Sequence, residues 1–268
     1  KLDCVFPVMH GKMGEDGSIQ GFLEVLGIPY VGCNILASSV CMDKIYTKAI
    51  LKKVSDVSPD ITIIKENKDL YYYDDLKLVK KVNIKDIDNL INEKLNYPVF
   101  IKPSRFGSSV GVTKVKNGKS LKRALLEALK YDNEVLIEKE IKGRELECAV
   151  LCGKSLEVGE VLSAEEFYDY DAKYQNEESK TVIPANIPKE IKKNIKDIAQ
   201  LSFRATNCKG LARVDFFLEN KTNKIIINEI NTMPGFTDIS MYPKLAEAAG
   251  ISYKKLLDIL IKDALKNK

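Results

Sequence analysis

Apolar and polar residues alternate most cleanly in two short runs, RVDFF (213–217) and KIIINEIN (224–231), separated by the polar connector ENKTN. Period-two alternation rich in β-branched and aromatic residues predicts two strands closed as a hairpin. Along a strand, side chains take opposite faces in turn. Arg213 and Asp215 therefore share one face, Glu229 and Asn231 share one face, and Val214, Phe216, Ile226 and Ile230 take the other parity. Helical spacing appears elsewhere. Ile19, Phe22, Leu23 and Leu26 predict a helix that Gly27 and Pro29 end, and residues 36–52 read as one continuous second helix. Further helices are predicted over 86–95, over 120–131 (Leu121, Leu125 and Leu129 on one face), over 190–206 and over 252–266.

The remaining apolar runs are short. LDCVFPV opens the chain as a strand, IPYVGC is a brief extended piece, and residues 61–84 read as two strands with YYYDD as an exposed connection between them. PVFIKP, VTKV, EVLIEKEI and ELECAVL follow as strands, with Gly143 breaking the last two apart. Turns this short predict an antiparallel sheet with helices on one side, an α+β arrangement rather than a doubly wound one. Residues 163–182 predict a long polar loop, a length that marks either disorder or function.

Composition narrows the classes. At 268 residues, 45% hydrophobic and 30% charged, the chain has length for two or three globular units. A net charge of +4, spread over lysine-rich helices, argues against a nucleic-acid partner, and no apolar run reaches membrane-spanning length. Six cysteines without a CxxC pair, and a single histidine, fit neither a zinc site nor a disulfide framework. Cys4, Cys41, Cys148 and Cys152, set among apolar residues, read as small core hydrophobes of a reduced, cytoplasmic protein.

Two stretches carry chemistry. On the hairpin, Asp215 and Glu229 with the Asn231 amide form either a solvated face or a set of hard oxygen donors for Mg²⁺ or Mn²⁺. The NTMPGFTDIS turn that follows favours the ligand. In KPSRFGSSVGV (102–112), Gly107, Gly111, Ser108 and Ser109 compose an anion-cradling loop between strands, with Lys102 as the point charge before it. This is no Walker loop, because no GK[ST] leads into a helix. Glu138 and Glu145, on the strands between, could take an adenine amino group or ribose hydroxyls, or be solvated edge charges. A lysine, a phosphate flap, a carboxylate–amide cluster and an arginine together read as phosphoryl-transfer equipment.

These segments resemble the D-alanine–D-alanine ligases of the ATP-grasp superfamily. The resemblance is carried in order by residues 5–44 (VFPVMHGKMGEDGSIQGFLEVLGIPYVGCNILASSVCMDK), FIKPSRFGSSVGV, EFYDYDAKY, LARVDFF and NEINTMPGFTDISMYP. It implies an ATP-grasp fold of two α+β subdomains gripping ATP, preceded by the remnant of a Rossmann-like α/β domain. The corresponding units are residues 1–43, 44–141 and 142–268. It also implies a cytoplasmic homodimer that joins two D-alanines for peptidoglycan through an acyl phosphate made from ATP, with two divalent ions. Carried over by motif, Asp215, Glu229 and Asn231 would hold the metals, and Arg213 with the Gly235 amide would form the oxyanion site. Lys44, Lys102 and Lys173 would contact ATP phosphates, aided by Ser109, while Glu138 and Glu145 would bind adenine and ribose. Ser240, next to Met241, would hold the second D-alanine, and His10 and Glu15 would lie near the first. Ser108 and Tyr174 would help close the 163–182 loop over the site.

Two departures stand out. The family places a strand, a loop with a glutamate and a helix before LDCVFPV, and a 268-residue chain standing alone is expected to turn over weakly or not at all. Around residues 52–64 the usual glycine-bearing helix end is not evident, which bears on packing between domains. The alternatives are a D-Ala–D-Ser or D-Ala–D-lactate ligase, or an ATP-binding module without turnover. Lys173 and Tyr174 favour D-alanine as the second substrate, excluding D-serine only weakly, since a pocket rejects one added hydroxyl poorly.

Overall fold

The structure is a computed structural model that describes residues 2–107, 109–162 and 180–266. Three helices come first: α1 (Ser18–Val25), α2 (Ile35–Met42) and α3 (Lys44–Leu51). The single helix expected over 36–52 is thus two. Asp43 sits between them in extended backbone (φ −91°, ψ 105°), and its carboxylate accepts from the amides of Ile45 and Tyr46, which starts a new helix in a new direction.

A first sheet follows, built from β1 (Asp60–Glu66), β2 (Asp69–Asp74), β3 (Lys77–Val82), β4 (Val99–Pro103), β5 (Thr113–Val115) and β6 (Glu134–Lys139). Its order is β3-β2-β1-β6-β4-β5, antiparallel throughout. Residues 61–84 hold three strands where two were expected. YYYDD is not an exposed connection but lies mostly in β2, with Tyr72 in the core, and the real turn is Asp75–Leu76, both at positive φ. Helices α4 (Ile84–Lys94) and α5 (Leu121–Ala128) cover one face. Their Ile87, Ile91, Leu121 and Leu125 pack on Ile61, Ile63, Ile101 and Ile137.

The second sheet holds β7 (Gly143–Leu151), β8 (Lys154–Leu162), β9 (Lys180–Val182), β10 (Leu211–Glu219) and β11 (Ile225–Asn231), in the order β11-β10-β7-β8-β9. The one sheet anticipated is therefore two: at Lys142–Gly143 the chain leaves β6 in the first and enters β7 in the second. Gly143 lies against the backbone of Leu218, where an added Cβ would come within 2.4 Å of the Leu218 oxygen. A side chain there could not fit.

Helix α6 (Lys189–Ala205) packs Ile195, Ala199 and Phe203 on one face of this sheet, and Ala37, Cys41 and Leu51 of α2 and α3 join the same cluster. Helices α7 (Met241–Ala248) and α8 (Tyr253–Lys266) cover the other face, through Tyr242, Leu245, Leu256 and Leu260. Helices were expected on one side only, and this sheet carries them on both. The segment before β1 reaches the second sheet as well, through a parallel bridge from Val57 to Ile227. The hairpin differs in one detail. A bulge lets Phe216 pair with Ile227 directly after Asp215 pairs with Glu229, so Asn228 is the extra residue. Parity flips there, and Ile227, not Ile226, joins Ile230 in the α6-side core.

Candidate active site

The hairpin places its polar residues as the alternation predicts. Arg213 stands opposite Asn231, and Asp215 opposite Glu229. Two carboxylates in register repel unless a positive charge lies with them, and Arg213 supplies it. Its Nε and Nη2 each donate to Asp215 at 2.7 Å, and Nε also lies 2.9 Å from Glu147 Oε2. Asn231 Nδ2 donates to Asp215 Oδ2 at 2.9 Å. Burial would lower the Arg213 guanidinium, but Asp215, Glu147 and Glu229 together carry it well above its ordinary value. It is a permanent cation beneath the acids.

The first sheet and α3 contribute lysines. Lys102, near the end of β4, pairs with Glu138 Oε2 on β6, and Lys48 Nζ donates to Glu138 Oε1 at 2.5 Å. Burial alone would raise the Glu138 carboxyl, yet the two ammonium groups hold it far below the usual carboxylate range. The solvated-edge reading of Glu138 is thereby excluded, since the residue is buried. Lys44, at the first position of α3, donates to the Phe106 carbonyl at 2.6 Å. Burial lowers the Lys44 ammonium, opposed by the field of Glu229. For Lys102, burial is outweighed by Glu138, with Glu229 and Glu145 adding to the upward shift. The lysines of one wall and the acids of the other therefore sit within one electrostatic field.

A third side comes from the N-terminal segment. Glu15 Oε2 accepts from the Gly11 amide at 2.5 Å, and burial raises its carboxyl against the pull of that bond and of His10. The charges of Glu229 and Arg213 act on it too, in opposite directions. His10 is exposed. The segment is docked on the turn after β11: the Met9 amide points to Met233 Sδ at 3.1 Å, and the rings of Phe6 and Phe236 meet edge-on at 5.2 Å. Within that turn Ser240 accepts from the Thr237 amide at 3.0 Å, and a Cβ on Gly235 would lie 2.6 Å from Ser240 Oγ. Only glycine leaves the Ser240 hydroxyl and the backbone there undisturbed. Met241 lies apart, its side chain in the core beneath α7 with its sulfur toward Gly159. In the flap, Ser109 and Gly111 both take positive φ (60° and 71°), and Cβ atoms on Gly111 would strike Tyr131 and Pro103. Ser108, Lys173 and Tyr174 lie outside the described residues.

Two site residues escaped the sequence reading. Glu147 pairs in register with Asp215 across β7 and β10, and its signal was present: it follows Glu145 by two, so it shares that face of the strand. Lys48 follows Lys44 by four, one helical turn along the same face.

Comparison with known proteins agrees. The model of the D-ala D-ala ligase C-terminus matches residues 70–262, and that of the D-ala D-ala ligase N-terminus matches residues 1–33. A D-alanine–D-alanine ligase of Acetivibrio thermocellus is 50% identical over 264 residues, covering 97% of this chain and 67% of its own length. Among solved structures, the VanG D-Ala:D-Ser ligase of Enterococcus faecalis superposes with a TM-score of 0.84 at 38% identity, over 98% of this chain and 73% of that one. The D-alanine–D-alanine ligase of Bacillus anthracis complexed with ATP gives 0.78 at 34%, over 99% and 80%.

Proposed function

The chain belongs to the D-alanine–D-alanine ligase family, with its ATP-grasp fold, and we propose that it condenses two D-alanines through a D-alanyl phosphate made from ATP. The observation that carries this reading is the pair of lysines on the buried Glu138, one of them Lys102, on one wall and the in-register Asp215 and Glu229 beside Arg213 on the other. A phosphate chain laid between the walls meets cations on its first-sheet side. On the other side, Asp215 and Glu229, opposite each other in register, and the Asn231 amide oxygen are the hard donors that would hold Mg²⁺ or Mn²⁺. When bound, such ions supply positive charge against the phosphates.

The residues then divide the work. A carboxylate oxygen of the first D-alanine attacks the γ-phosphorus, and ADP leaves with the broken bond's electrons. Lys44 and Lys102 hold the phosphates in line for that transfer. The second D-alanine, bound by its carboxylate at Ser240, attacks the acyl carbon through its neutral amine. Arg213 and the Gly235 amide stabilise the oxyanion that develops, and phosphate departs, taking up the proton that the nitrogen sheds as the amide forms. Glu15 and His10 orient the ammonium of the first substrate. Glu145 faces the nucleoside, while Glu138, buried with an ammonium on each oxygen, serves the nucleotide through Lys102. On this reading the partners are ATP, D-alanine and a second copy of the chain, and the reaction belongs to the ATP-rich cytoplasm and to peptidoglycan synthesis. Among the described residues no helix is long and apolar enough to cross a membrane.

The likeness to VanG keeps D-serine as a second reading for the acceptor. Phosphate release from ATP by the intact protein, offered D-Ala, D-Ser or D-lactate beside D-Ala, separates the readings. Release driven by D-Ala alone is the expected result. Equal release with D-Ser moves the specificity, and bound ATP without release under any pairing would sink the ligase reading.

A further inference from the structure

Alternating charges run inward from α3 to the phosphate wall. Lys52 Nζ, half-exposed at the outer end, lies 3.3 Å from Asp60 Oδ1, and Lys48 Nζ lies 3.9 Å from the same oxygen. Lys48 next donates to Glu138 Oε1, and Glu138 Oε2 takes Lys102. Lys48 is 3% exposed and Glu138 5%, and Asp60 stands opposite Glu138 in the β1–β6 register. An interior lysine is a costly choice for packing alone, because an apolar side chain of the same volume serves a core as well or better. Two lysines on one buried carboxylate call for another reason.

That reason follows if Lys102 binds ATP phosphates, the reading on which this inference rests. Lys102 then has two partners, Glu138 before the nucleotide arrives and a phosphate afterwards. Turning to the phosphate would leave Glu138 a buried carboxylate without its cation, a penalty that would be charged against nucleotide affinity. Lys48 occupies the other Glu138 oxygen, and the second carboxylate 3.9 Å away at Asp60 favours its staying there when Lys102 leaves. We propose that Lys48 is a positioning residue for the nucleotide site: it keeps the Glu138 carboxylate compensated and in place while Lys102 exchanges Glu138 for an ATP phosphate. Lys44, whose ammonium also feels Glu138, is engaged with the Phe106 carbonyl and does not substitute for it.

Steady-state kinetics on five variants test this. Lys102→Met should raise the KM for ATP; if it does not, the nucleotide reading itself fails, whatever Lys48 does. Given that effect, Lys48→Met should raise the KM for ATP about tenfold, leave the KM for D-alanine unchanged, and be largely rescued by Lys48→Arg. In a Glu138→Gln background the same Lys48→Met change should cost less than about twofold, because no carboxylate remains to be compensated. Lys48→Met within twofold of wild type overturns the proposal. So does an equal rise in both KM values, or an undiminished rise in the Glu138→Gln background. If Lys48→Met does not fold alone, Glu138→Gln is compared with the double variant, where equal KM values for ATP support the proposal and a further tenfold rise overturns it.

Discussion

Glu147 and Asp215 grip Arg213 from neighbouring strands, so the guanidinium cannot turn without breaking contacts on both sides. A cation that stabilises a developing oxyanion works best when its direction is set before the reaction. Asp215 is also a candidate metal ligand, and whatever charge it shares with a metal it withdraws from Arg213. Glu147 then becomes the main anchor. The change Glu147→Gln keeps the shape and removes the ion pair that reaches Arg213 from β7. We expect kcat to fall about tenfold or more with the KM for ATP nearly unchanged; unaltered kcat would show that Asp215 holds Arg213 unaided. At this scale most of the site was legible. Parity along the strands paired 213 with 215 and 229 with 231 without any structure. The bulge at Asn228 was not legible, because an extra residue in one strand is defined only by its partner's register.

Helix α3 and the phosphate flap share one anchor. Asp43 caps α3 through the Ile45 and Tyr46 amides and also accepts from Ser104 Oγ at 2.7 Å, at the root of the flap. The Lys44 amide donates to the Ser104 carbonyl at 3.2 Å, and Arg105 is bound to Asp132 through both its backbone amide and its guanidinium. Removing the Asp43 carboxylate therefore loosens two elements at once. Asp43→Ala should cost about 1–2 kcal/mol as a lost cap, seen as a lower urea midpoint at unchanged slope, and should raise the KM for ATP as well. A stability loss with no effect on ATP would separate the cap from the flap. Sequence periodicity ran straight through Asp43, since apolar spacing in α2 and α3 happens to stay in phase and an aspartate is tolerated inside a helix. Likewise YYYDD offered polar tips that read as solvent-facing, while the ring of Tyr72 is what the core of the first sheet uses.

Each sheet has its own helices and its own core. That division was invisible to strand patterning, which shows where strands are and not which sheet each one joins; Gly143 read as a break between two strands of one sheet, and the chain crosses there from one sheet to the other. The family resemblance supplied the two-part fold that periodicity could not. The physical consequence concerns the nucleotide as a bridge. If ATP contacts Lys102 in the first sheet and, with a divalent ion, Asp215 in the second, its binding energy is drawn from both bodies. A ligand that binds only the folded state adds about 2.7 kcal/mol at a hundred times its Kd. Saturating ATP with Mg²⁺ should then raise the thermal midpoint by several degrees in the intact protein, and a chelator should remove most of the rise. Lys102→Met and Asp215→Asn should each reduce it, though they sit on different sheets. A midpoint shift that survives Asp215→Asn and chelation but vanishes in Lys102→Met would mean that the nucleotide rests on the first sheet alone, and that the hairpin acids serve the amino-acid substrates instead.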